Sequence, residues 1–228
     1  MIVVVASELD SVAQQLVEDW PGKRALLMTP RDLCTKGWHI ESGRIEEGHI
    51  VASGDRLSVS KLTGLLNLLP YVFEQELVTI ESASRRYVAA ELTAFLFYLL
   101  TVIRCPVVNR PTANNLTGPD WRPEQWAQAC RLVGIPTKKT RRNSRQPIVA
   151  GTAGESFYSI SAIGNNCVGD TATYAANVIA LAKLAGVTFL TVTFGEHEAS
   201  KVFHSAQLVP DLRDRNLTSA IQAHFGDC

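Results

Sequence analysis

The stretch Cys105 to Trp126, CPVVNRPTANNLTGPDWRPEQW, constrains this chain most, because it fixes a strand, a loop and a helix in one run. Pro106 and Pro111 bracket Val107-Val108. Proline gives no N–H to a ladder and therefore sits at strand ends and edges. Asn114, Asn115, Gly118 and Pro119 supply the turn chemistry of a loop. Pro123 stands where a helix begins, its φ already helical and its missing N–H no loss, and Gly134 stands where that helix ends. Strand, loop and helix in succession form the unit from which layered α/β folds are built.

The chain on either side repeats that grammar. A strand is expected over Ile2 to Ala6, then a helix over Ser11 to Trp20, capped by Ser7 or Asp10 and stopped by Pro21-Gly22. Ala25 to Met28 is a second strand; continuous apolar runs bounded by turns are what parallel strands buried on both faces look like. Short alternating pieces at Trp38 to Glu41, Arg44 to Ile50 and Val51 to Val59, separated by Gly43, Gly48 and Gly54-Asp55, read as one or two decorating hairpins. Leu62 to Phe73 contains Gly64 and Pro70, so a strand ending near Pro70 fits better than a helix. The longest helix runs from Ser84 to Ile103. Its segment Tyr87 to Ile103 has 17 residues and includes Glu91. That falls short of the roughly 20 apolar residues of a membrane span, and a buried helix is expected. Later, a strand lies within Ile148 to Ile163, Asp170 caps a helix over Thr171 to Ala185, and Gly186 closes it. Val187 to Phe194 is the strongest strand by β-branched and aromatic content. Gly195-Glu196-His197-Glu198 turns it into Lys201 to Ala206, and Asp211 starts a terminal helix to Phe225.

Charge and cysteine usage narrow the partners. Lysine plus arginine equals aspartate plus glutamate at 22 each, so no global field draws the chain to nucleic acid or an anionic membrane. With 228 residues and 46% hydrophobic content it can bury one large core or two small ones. The basic run Lys138-Lys139-Thr140-Arg141-Arg142-Asn143-Ser144-Arg145 reads as a solvated linker. The cysteines at 34, 105, 130, 167 and 228 form no C-x-x-C pair, which fits reduced structural thiols and a cytoplasmic location. Met1-Ile2-Val3-Val4-Val5 is too short for a signal core and is followed by Glu8 and Asp10; a strand is expected there.

Isolated motifs carry little chemistry. Gly151-Thr152-Ala153-Gly154-Glu155-Ser156 has glycines but not the G-x-x-x-x-G-K-[ST] of a phosphate loop. His39, His49, His197, His204 and His224 are scattered, and the pair His197 and His204 is too few for a metal site. Ser156 and Ser205 lack a G-x-S-x-G elbow. Arg85, Arg86 and Arg110 can line the strand-end crevice where open α/β sheets bind ligands, and an arginine fork suits a carboxylate or phosphate. With Asn109 and Trp121 they form the ligand-binding candidates. The plainer reading of the arginines is surface ion pairing with Glu81 and Glu91.

From Ile2 through the Asn109-Arg110-Pro111 junction to Gly134-Ile135-Pro136-Thr137, the chain resembles the pre-ATP-grasp domain of ATP-grasp ligases of the glutathione synthetase and ribosomal-protein glutamate ligase type. One departure is Arg122-Pro123-Glu124, where those enzymes often carry Asn-Lys. The resemblance implies an α/β fold: an open, mostly parallel pre-ATP-grasp-like sheet over residues 1–137, a basic linker over 138–147, and a small α+β fragment of the C-terminal lobe over 148–228. It also implies a loss, since the chain has no room for the central lobe whose lysines hold nucleotide phosphates. In the family, an acidic residue on one late strand and Glu-x-Asn on the next offer the hard oxygen ligands that Mg²⁺ requires. Here the second of these strands reads Val202-Phe203-His204-Ser205-Ala206 and the first offers Thr191 and Thr193, while Glu196 and Glu198 read as a solvated hairpin tip. The expectation is a non-catalytic, ATP-grasp-like binding or accessory protein with no catalytic residue, metal or cofactor. Its partner is a second copy, as a homodimer, or a complete carboxylate-amine ligase. The alternative is a ligase completed by a partner chain, or a small enzyme with an unrelated site in the crevice. Phe194 and Phe203 are the interface candidates, because strands this apolar are poorly suited to stand bare.

Overall fold

A computed structural model describes residues 1–138, 157–197 and 200–226. The chain divides into two compact units, Met1–Asp120 with Val209–Cys228, and Trp121–Leu208. The division falls at Asp120 and not near residue 137, so the helix that follows Pro123 belongs with the second unit.

The first unit is built on four parallel strands: β1 (Ile2–Val5), β2 (Ala25–Met28), β5 (Gly64–Asn67) and β6 (Val107–Val108), in the order β2-β1-β5-β6. Every residue of β1 and β5 is buried, as unbroken apolar runs demand of strands covered on both faces. Helix α1 (Ser11–Glu18) connects β1 to β2, and Asp10 caps it by accepting from the Val12 and Ala13 N–H groups. After the short α2 (Pro30–Leu33) comes one hairpin, β3 (His49–Ala52) with β4 (Asp55–Ser58). Its two-residue turn places Ser53 at φ 53° and Gly54 at φ 78°, the left-handed pair that matches strand twist. The Ser53 N–H donates to the Leu27 carbonyl at 2.7 Å, so the turn covers the edge strand β2. The piece around Trp38 contributes a single bridge, His39 to His49, not a second hairpin.

Helix α3 (Ser82–Val102) is 21 residues long, about 31 Å at 1.5 Å per residue. It is buried along one side only. Ala89, Leu96, Leu99 and Leu100 join the core of β1, β5 and β6, while Tyr87 and Phe97 are 69% and 37% exposed. No helix among the described residues is long and apolar enough to cross a membrane.

The second unit pairs two helices, α4 (Pro123–Leu132) and α5 (Ala175–Leu184), with four antiparallel strands: β7 (Phe157–Ile163), β8 (Asn166–Gly169), β9 (Phe189–His197) and β10 (Ser200–Gln207). The order is β10-β9-β7-β8. Pro123 opens α4 and Gly134, at φ 80°, follows its end, as the sequence predicts. Ile135-Pro136-Thr137 adds one parallel bridge to Phe203, whose N–H donates to the Pro136 carbonyl at 2.7 Å. The last helix, α6 (Arg215–Gly226), belongs to the first unit, where the Phe225 ring packs beside Trp20.

Three expectations are corrected here. Asp170 does not cap α5, which starts at Ala175; its carboxylate instead pairs with the Lys201 ammonium, which also lies 4.4 Å from the Tyr158 ring centre. Gly195-Glu196-His197 is not a turn but the end of β9, paired in register with Ser200, Lys201 and Val202 of β10. Phe194 and Phe203 are interior, 1% and 8% exposed. They sit opposite one another on the face that carries the α4 and α5 core, where Phe194 stacks on Tyr174 at 5.2 Å, so period-2 alternation turns both rings away from an interface.

Candidate functional site

On β7, β9 and β10, alternation sorts the side chains by face. Ile160, Ala162, Leu190, Val192 and Phe194 point to the helices. The other face carries hydroxyls: Ser161 and Thr191 share a hydrogen bond of 2.7 Å, and Ser159 and Thr193 one of 3.3 Å. Ser205 stands opposite Thr193, and Gln207 opposite Thr191, after a register shift that accommodates His204. Of these, Thr191 and Thr193 on β9 and Ser205 on β10 stand on the two strands where the family resemblance puts oxygen ligands for Mg²⁺. Neutral hydroxyls bonded to one another do not fit that ion, which takes carboxylates and phosphate oxygens. Among the described residues no group of three or more His, Cys, Asp or Glu converges as a metal site. Glu196 lies on β9, His204 packs against the Phe157 ring at 4.7 Å, and Glu198, the glycines at 151 and 154 and the basic run after Lys138 lie outside the described residues.

The ligand candidates of the first unit separate by what they hold. Arg110 grips the end of α3, donating from Nη1 to the Leu100 carbonyl at 2.7 Å and from Nη2 to the Ile103 carbonyl at 3.0 Å. A cation there also answers the negative end of the helix dipole. Arg85 donates from Nε to the Ile80 carbonyl at 2.9 Å and from Nη2 to the Val78 carbonyl at 3.3 Å, bracing the turn before α3. Asn109 is buried at the end of β6 with φ 56°. Trp121, in the second unit, packs on Trp126 at 4.7 Å. Arg86 differs: it is exposed and reaches a groove.

That groove has a volume of about 930 Å³ and runs along α3 between the loop after β5 and the loop after β6. Ala90 and Ala94 form an open floor, with Tyr71, Phe73 and Phe97 beside it and Arg86, Glu74 and Gln75 among its polar lining. Both loops follow parallel strands at their C-terminal ends, the side on which open α/β sheets bind ligands. The walls are braced by Asn67, a residue the sequence reading passed over. Its Nδ2 donates to the Leu69 and Leu116 carbonyls, each at 2.9 Å, and its Oδ1 accepts from the Leu69 N–H at 3.3 Å. The signal was present as a lone amide inside Leu65-Leu66-Asn67-Leu68-Leu69. Thr93 adds a second brace, accepting from the Val72 N–H at 3.0 Å.

The four thiols among the described residues offer no thiolate nucleophile. Burial pushes Cys105 up to about 11 and Cys130 up to about 12, and raises Cys34 and Cys167 as well, so these four remain protonated at neutral pH.

With that architecture in view, solved structures of ATP-grasp ligases superimpose on the whole chain. No family model and no curated protein matches the sequence. The macrocyclase MdnC of Microcystis aeruginosa MRC, bound with precursor peptide MdnA, aligns over 97% of this chain and 98% of its own, with TM-score 0.71 and 10% identity. The ATP-grasp ligase PsnB, complexed with minimal precursor, aligns over 99% and 98% with TM-score 0.70 and 12% identity. A RiPP-associated ATP-grasp ligase of Chryseobacterium gregarium, in complex with ADP and a leader and core peptide, aligns over 99% and 95% with TM-score 0.68 and 8% identity. The fold is therefore ATP-grasp-like, a mixed α/β architecture of a parallel sheet, antiparallel sheets and helices.

Proposed function

We propose that this chain is a degenerate ATP-grasp-like protein that binds without catalysing, an accessory to a complete peptide-modifying ligase. The choice of partner is supported by structural neighbours that are bound or complexed with precursor peptides. The non-catalytic part rests on one observation: on the strand where the resemblance puts an acidic Mg²⁺ ligand stand Thr191 and Thr193, each bonded to a β7 serine. Without negative charge on that face, bridging a metal to nucleotide phosphates has no electrostatic support.

Thermal denaturation with millimolar Mg²⁺-ATP tests this reading. A ligand at about 100 times its Kd stabilises the folded state by about 2.7 kcal/mol. For a chain of this size that corresponds to a rise of roughly 5 to 11 °C in Tm. The expected result is no shift; a rise of that size overturns the proposal.

A further inference from the structure

We propose that the groove beside α3 binds an extended peptide segment carrying a bulky apolar side chain next to an acidic residue. This rests on reading the chain as a binding protein and assigns what it binds and where. From Arg86 to Phe97 the groove follows α3 for about 16 Å. That is the length of about five residues of extended chain at 3.3 Å each. The volume of about 930 Å³ lies near the upper end of the roughly 300–1,000 Å³ found for ligand pockets. The exposed floor of Ala90 and Ala94 leaves depth for one large side chain, and the half-exposed Tyr71 ring stands at its edge.

Charge decides what flanks that side chain. Arg31, Arg44, Arg104 and Arg213 each pair with a glutamate or aspartate of this chain, whereas the Arg86 guanidinium has no partner among the described residues. It is a fork open to a carboxylate from outside. Glu74 and Gln75 offer acceptors for peptide N–H groups, and Asn114 adds an amide to the lining. The loops need little ordering on binding, because Asn67 and Thr93 already hold them. Preorganisation of this kind lowers the cost of association.

The test is an NMR titration of the isotope-labelled chain with three blocked hexapeptides: Gly-Ala-Asp-Phe-Ala-Gly, the same with Lys for Asp, and the same with Ala for Phe. The first should shift amide resonances of residues 70–75, 86–97 and 112–116, and bind about fivefold more tightly than the lysine peptide, as one exposed ion pair allows. The alanine peptide should bind weakest. Arg86→Glu should invert the preference between the Asp and Lys peptides, and Ala94→Trp, at an exposed helix position, should fill the groove and abolish binding with Tm unchanged. No shift at millimolar peptide, shifts confined to other residues, or an unaltered preference in Arg86→Glu overturns the proposal. So do groove resonances that move with protein concentration alone, which would assign the surface to a second copy. None of these results depends on nucleotide, so the peptide site and the non-catalytic reading fail separately.

Discussion

The two sheets of this chain place their polar side chains in opposite ways. In the parallel sheet both faces are buried, and polarity is confined to the strand ends, where Asn67, Asn109 and Arg110 stand at the loops. In the antiparallel sheet one face is apolar, and the other carries the hydroxyl pairs Ser161–Thr191 and Ser159–Thr193 beside the buried Ile163 and Phe189. The difference bears on where a ligand is proposed to bind. A parallel sheet presents ligands with loops and a neighbouring helix, which here make the groove, whereas an antiparallel sheet can present a face, which here is paired with itself.

The largest expected effect lies on the apolar face. Phe194→Ala should cost about 3–5 kcal/mol of stability in urea denaturation, because a fully buried ring leaves a cavity. A loss under about 1 kcal/mol accompanied by weakened self-association would instead return that ring to an interface.

Glycines sharpen the contrast next. At Gly169, with φ 105°, a Cβ would meet the Ser159 carbonyl oxygen at 2.2 Å, a backbone atom that cannot swing aside. Gly169→Ala should cost about 2 kcal/mol or more. At Gly64, in β5, the clash is with the Phe225 ring at 2.3 Å, and a ring can shift. Gly64→Ala should therefore cost less, and the reverse order in paired denaturation curves would mean that α6 is held more rigidly than the β7–β8 pair.

Smaller still is Arg110→Ala, expected to lose about 1 kcal/mol through the carbonyls at the end of α3. Titration of the acidic hexapeptide into that variant should give the wild-type affinity; a loss of binding would make Arg110 a ligand residue after all.

The smallest effect is acidic. The hydrogen bond from Lys201 holds the Asp170 carboxyl below its usual range. A depressed carboxyl contributes stability above its unfolded value near about 4, and that contribution is lost as pH falls through the folded value. Asp170→Asn should flatten the acid limb of the stability profile below about pH 4 and leave the neutral region with little slope. An unchanged acid limb would show that the pair is solvent-separated.

Much of the fold is legible because strand and helix ends obey simple rules. Ala25–Met28 and Val107–Val108 are strands at the residues expected, and Pro123 and Gly134 bracket α4. The start of α5 is not legible in the sequence, because Asp170 is a good cap in isolation and only the fold shows that Lys201 competes for it. Phe194 and Phe203 looked like surface because no local pattern says which face of β9 the helices cover. The groove was invisible for a different reason: its lining comes from three segments between residues 70 and 116, and only Arg86 among the expected site residues reaches it.

Absence of metal–nucleotide binding at the hydroxyl-bearing face is the proposal with the most consequence for function. Calorimetric titration of Mg²⁺ with a non-hydrolysable ATP analogue into the full chain tests it directly. The expected result is no saturable heat at any nucleotide concentration up to the millimolar range. A one-to-one isotherm with Kd of about 100 µM or tighter, near −5.5 kcal/mol or more of binding free energy, and weakened by Thr191→Val or Ser161→Ala, would contradict it.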